Sequence, residues 1–172
     1  MKESWLTRPF ILPIVSFLLS LVLYTRTMAP TVYWGDPGEL ISAIVTMGVP
    51  HPTGYPSFVF LGKLFSFLPF SNPAVAINFM TVLFGALSVM MICVIGTKIS
   101  NDKLVGFLAS LVFAVCPYLW HFTTHAEVYS MNMFLLLLNF FLVLRWKETQ
   151  ELKFVYLFSF FYGLNLTVHI TS

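Results

Sequence analysis

Asp36-Pro37-Gly38-Glu39 sets two carboxylates three positions apart, and Pro50-His51-Pro52-Thr53-Gly54-Tyr55-Pro56 follows with a histidine and a phenol held among three prolines. A carboxylate placed at such a rigid turn could act as general base toward a hydroxyl, and a second one nearby could orient the incoming group or tune its neighbour's ionisation. An imidazole between prolines could offer a hydrogen bond or a positive charge to a phosphate, because its charge state is tunable near neutral pH. A second polar island, His121-Phe122-Thr123-Thr124-His125-Ala126-Glu127, carries a third acid between long apolar runs. Ionisable groups at a membrane edge usually line a cavity or pair with something.

Each of these groups also has a structural reading. Asp is a favoured N-cap, Pro a favoured first helical residue, and a Glu at the third position can reach back to the cap; the periodic run Leu40, Ile41, Ile44, Val45 then continues the helix. Thr124 to Glu127 fits a Thr-x-x-Glu capping box at the start of a later helix. The proline-rich turn could simply join two interfacial helices, with Tyr55 as a belt aromatic. His121 and His125 would share one helical face, but without a third ligand in sequence they do not make a metal site, so neither a metal nor a cofactor is expected. Cys93 and Cys116 fall in apolar runs and read as small hydrophobes.

The elements that must hold these groups are set by composition. The 172 residues are 58% hydrophobic and only 9% charged, with 19 phenylalanines, and the mean hydropathy is +0.86, so the chain reads as an all-α polytopic membrane protein. No basic stripe with interleaved aromatics suggests nucleic acid. Apolar runs predict about five transmembrane helices, near 9–27, 74–97, 104–121, 129–145 and 154–172, with a long outer loop over 28–73. Within that loop, 55–70 is too short and too interrupted by Gly62, Lys63 and Pro69 to span, and reads as interfacial.

This assignment puts Lys2, Arg8, Lys98, Lys103, Arg145, Lys147 and Lys153 on the cytoplasmic side and leaves only Arg26 and Lys63 outside, which is the positive-inside pattern. Asp36, Glu39 and Glu127 are then the only outer acids. Glu3, Asp102, Glu148 and Glu151 lie beside basic residues in cytoplasmic segments, where a solvated surface role is the default.

Gly35-Asp36-Pro37-Gly38-Glu39-Leu40, Gly48-Val49-Pro50-His51-Pro52-Thr53-Gly54-Tyr55-Pro56, Asn78, Ala126-Glu127-Val128-Tyr129-Ser130-Met131-Asn132 and Gly163-Leu164-Asn165-Leu166-Thr167 with His169 together resemble the DUF2723 family, the TMEM260-like protein O-mannosyltransferases and their bacterial relatives of GT-C type. The resemblance covers nearly all of the chain after the first helix. Pro37 and Thr53 depart from the family's serine and proline; Pro37 removes a hydroxyl but strengthens the helix start.

The resemblance implies a GT-C-like N-terminal region, truncated at its C-terminus, in a bacterial inner membrane or the ER membrane with the active loop extracytoplasmic. It implies inverting transfer of a sugar, mannose among the candidates, from a polyprenyl or dolichyl phosphate donor to a hydroxyl on a protein or glycan. Asp36 would be the general base and Glu39 the second catalytic carboxylate; His51, Tyr55, Glu127, Lys63 and Arg26 would bind substrate, the cationic groups stabilising the leaving phosphate. Two other classes share this sequence pattern in part: a noncatalytic membrane scaffold or accessory fragment, and a transporter subunit, whose charges should continue through the membrane midplane.

Overall fold

The computed structural model describes residues 11–170 and contains eight helices among them: α1 (Ile11–Thr27), α2 (Pro37–Thr46), α3 (Pro56–Phe65), α4 (Pro73–Ser100), α5 (Lys103–Ala114), α6 (Pro117–Thr123), α7 (Tyr129–Thr149) and α8 (Leu152–Val168). The all-α expectation holds: the described residues contain no strand. Lys2, Glu3 and Arg8, and the outermost residues of the expected first and fifth spans, lie outside the described residues.

Among the described residues only α4 and α7 are by themselves long and apolar enough to cross a membrane, and α5 with α6 makes a third candidate if the bent pair counts as one span. This is fewer than the five expected, because α1 and α8 each have 17 described residues, about 26 Å of helix against a hydrocarbon core of about 30 Å. The expected straight span over 104–121 is instead broken, with α5 and α6 inclined by 64°. Pro117 is the cause. It starts α6 at the position proline tolerates, while Cys116 before it takes an extended ψ of 121°, as the residue preceding a proline is pushed to do.

The loop over 28–73 folds into α2 and α3, a pair of ten-residue helices, each only about 15 Å long. Gly62 does not interrupt α3; it lets α2 approach closely, since a Cβ there would stand 2.6 Å from Ile44 Cδ1. Beneath the pair, Leu40, Ile44, Tyr55, Phe58, Ile77, Met80, Met131 and Val168 form one buried cluster that joins α2 and α3 to α4, α7 and α8.

α4 is the central post, packed against α1, α5 and α7. Gly96 and Gly106 set the α4 to α5 crossing: a Cβ on Gly106 would lie 2.4 Å from Thr97 N and 2.6 Å from Cys93 O, which is backbone that cannot step aside. At the end of the bundle where α4 and α7 finish, Lys98 pairs with Glu148, Arg145 lies 3.2 Å from the same carboxylate, and Lys153 pairs with Glu151. Asp102 caps α5, accepting from Leu104 N at 2.7 Å. Thus the three described acids at this end have structural partners, as their basic neighbours in sequence suggest.

Gly106→Ala is expected to lower the thermal stability of the detergent-solubilised protein by about 1–3 kcal/mol, the usual cost of overpacking a tight contact. Gly163→Ala, where a Cβ would meet nothing within 4 Å, should leave the melting temperature unchanged.

Candidate functional site

The opposite end of the bundle is assembled on α4. Asn78 is fully buried and donates from Nδ2 to Ala29 O at 2.9 Å and Thr31 O at 3.0 Å. Thr81 Oγ1 lies 3.0 Å from both Thr123 O and His125 O, and Ala29 N donates to Thr124 O at 2.8 Å. Trp120 Nε1 donates to Thr27 Oγ1 at 2.9 Å, closing α1 onto α6. These bonds bring the two polar islands of the sequence to the same end.

Two glycines set the chemistry-bearing residues of the first island. Gly35 at φ 96° and Gly54 at φ 84° adopt backbone that side chains disfavour, immediately before Asp36 and Tyr55. Asp36 occupies the N-cap of α2 and Pro37 its first turn, as the sequence suggests, but Asp36 makes no side-chain capping bond and its side chain is exposed. The expected capping box does not form. Glu39 turns away to the proline-rich turn instead: Oε1 accepts from His51 N at 2.6 Å, and Oε2 lies 2.9 Å from His51 Nδ1. These bonds hold the Glu39 carboxyl below the usual carboxylate range.

The other ring nitrogen, His51 Nε2, lies 2.9 Å from the Tyr55 hydroxyl. Both nitrogens of His51 are therefore engaged, and a phosphate would have to displace one of these partners to be bound by this ring. Burial first, then the charges of Asp36, Glu127 and Glu39, push the Tyr55 phenol up, so all three acids bear on one hydroxyl.

The second island lies at the same end as the first, tied to it through α4. The expected Thr124 to Glu127 capping box is also absent, because α6 ends at Thr123 and α7 begins at Tyr129, leaving Glu127 in the connection; the Thr124 hydroxyl donates to His121 O at 3.1 Å. Glu127 is 8% exposed. Burial and the charge of Asp36 raise its carboxyl to about 7, with His51 opposing the shift. Among the described residues neither Asp36 nor Glu127 forms a salt bridge with a lysine or arginine. His121 and His125 do not share a helix face, yet their rings meet edge to face at 4.8 Å, and Tyr33 stacks on His125 at 4.5 Å. Burial, with His121 beside it, pushes His125 down to about 4, so it is neutral at physiological pH.

The two remaining cations stand apart from this arrangement. Lys63 Nζ donates to Val45 O at 2.7 Å and lies over the Phe67 ring, which satisfies a carbonyl near the far end of α2 from Asp36. Arg26 is exposed in the last turn of α1. What the residue-by-residue reading passed over as a site group is His169, which caps the end of α8, stacks with Tyr55 at 6.2 Å and meets Tyr129 at 5.7 Å. All four histidines of the chain are thus at one end, and their shared placement near the polar islands and the end of the last apolar run would have suggested it.

An apolar helical bundle with acids, histidines and phenols gathered at one end, and ion-paired acids at the other, is a membrane protein with a polar site at one end. The chain belongs to the family of the protein O-mannosyl-transferase TMEM260 N-terminal domain, which matches residues 36–172. It is similar to the protein O-mannosyl-transferase tmem260 of Dictyostelium discoideum, 36% identical over 131 residues, covering 74% of this chain and 16% of the relative. It is similar also to that of Mus musculus, 33% identical over 132 residues, covering 76% of this chain and 19% of the relative. The chain therefore spans less than a fifth of the length of these relatives. No solved structure matches it.

Because the folded carboxyl of Glu127 titrates above its ordinary value of 4.5, its favourable contribution to stability is fully present below about 4.5 and is lost as pH rises through about 7. Glu127→Gln should flatten the stability profile across that window and raise the melting temperature at pH 8. A melt series from pH 4 to 8 on both proteins checks this.

Proposed function

We propose that the chain is the N-terminal part of an integral-membrane glycosyltransferase of GT-C type. It moves a sugar, mannose by the name of its relatives, from a polyprenyl or dolichyl phosphate to a hydroxyl on a protein acceptor. α1 and α8 complete five spans in this reading. The end carrying Asp36 then faces away from the cytoplasm, with Lys98, Lys103, Arg145, Lys147 and Lys153 inside. A bacterial inner membrane and the ER membrane both fit that orientation.

Asp36 takes the proton of the acceptor hydroxyl as its oxygen attacks the anomeric carbon, and the lipid phosphate leaves with inversion. One observation carries the assignment: Asp36 heads α2 with its side chain exposed and uncommitted to capping, while its partner in the motif, Glu39, is held by His51. A structural carboxylate at this position would be spent on the helix end. Glu127, buried beside Asp36 and raised to about 7 by burial and by that charge, is partly protonated at neutral pH and supplies a hydrogen bond to a substrate oxygen.

Asp36→Asn keeps the cap-competent shape, since Asn caps about as well as Asp, but removes the base. In the complete protein it should lower transfer from a radiolabelled lipid phosphate sugar by roughly 100-fold to 10,000-fold with unchanged melting temperature. Wild-type transfer rates in Asp36→Asn would reject Asp36 as the base.

A further inference from the structure

Glu39 meets His51 through both of its oxygens, one on the backbone N–H at 2.6 Å and one on Nδ1 at 2.9 Å. A carboxylate only accepts, so Nδ1 carries the hydrogen, and in the neutral imidazole Nε2 is left as an acceptor. The Tyr55 hydroxyl, 2.9 Å away, then donates to Nε2; Pro52 O, at 3.4 Å, is the longer alternative. With its one hydrogen committed, the phenolic oxygen keeps acceptor capacity toward the site. Every bond in this chain points the same way.

The phenol is also fixed in place. Tyr55 is 7% exposed, its backbone sits at φ 44° behind Gly54, and its ring stacks on His169. Ser57 and Thr167 hydroxyls, 2.5 Å apart, tie the start of α3 to the end of α8 beside it. An acceptor oxygen bordered by the charges of Asp36, Glu127 and Glu39 repels an anionic phosphate and favours a neutral hydrogen-bond donor.

We infer that Glu39 and His51 are positioning residues, and that they present the Tyr55 phenolic oxygen as a fixed acceptor for a ligand hydroxyl. The proposal rests on the transferase reading above and has Glu39 act through His51 rather than directly on the reacting groups. The hydroxyl belongs either to the donor sugar or to the acceptor, and kinetics distinguish the two.

The test uses the complete protein in lipid nanodiscs, with polyprenyl phosphate mannose and a serine- and threonine-bearing peptide. Tyr55→Phe keeps the ring stack but loses the oxygen. His51→Asn keeps a donor for Glu39 in the place of Nδ1 but loses Nε2. Each should lower kcat/KM about tenfold, the loss of one oriented hydrogen bond, and the double variant should fall no further than either alone. A rise in KM for the lipid donor assigns the hydroxyl to the sugar, and a rise for the peptide assigns it to the acceptor. If His51→Asn retains wild-type kinetics, or the two losses multiply in the double variant, the relay is overturned while the transferase reading stands. If the wild type transfers from no lipid phosphate sugar, both fall together.

Discussion

Irregular backbone cannot be buried in an apolar bundle unless its N–H and C=O groups find partners. The chain meets this constraint by hanging two non-helical segments on one face of α4. Asn78 bonds the carbonyls of Ala29 and Thr31, the Thr81 hydroxyl reaches those of Thr123 and His125, and Ala29 N closes the two segments on each other. Everything at that end depends on this tie. It fixes where α1 is left and α2 begins, and it holds the connection before α7 in a largely buried path that stacks Tyr33 on His125 and leaves Glu127 within reach of the Asp36 charge.

Charge is divided along the same axis. At the end where α4 meets α5 and α7 meets α8, carboxylates have cations or helix N-termini beside them and act as surface and capping groups. At the other end Glu39 is bonded to a histidine, Asp36 is exposed, and Glu127 is raised by burial and by its neighbour's charge. Groups whose protonation is pushed toward neutrality by environment are the ones suited to proton transfer.

Much of the scaffold was legible. The α2 start at Pro37, the short α3, and the long α4 and α7 follow from helix-start residues and apolar run lengths. The break in the third span was also written in the chain, at Pro117, but an apolar run that continues on both sides of a proline hides it from a reading by hydropathy. Both capping boxes failed, at Asp36 and at Thr124. Motif spacing describes what a carboxylate can reach within its own turn, and it is blind to a better partner arriving from elsewhere. For Glu39 that partner is His51, twelve residues on; for Glu127 the helix itself starts four residues later than the motif needs. Lys63 shows the same limit, since its carbonyl partner lies on the neighbouring helix.

By itself the sequence pointed to the helices and to the polar islands between them, because hydropathy, charge placement and turn residues are local properties. Tertiary structure decided which partners and surroundings each polar group meets. It separated Asp36 from Glu39 by giving only Glu39 a histidine, it drew His169 from the last helix onto Tyr55, and it raised Glu127 by burying it near another acid. Hydrogen bonds, ring stacking and desolvation act through space over a few ångströms, between residues up to more than a hundred positions apart in the chain, and no local pattern carries that information.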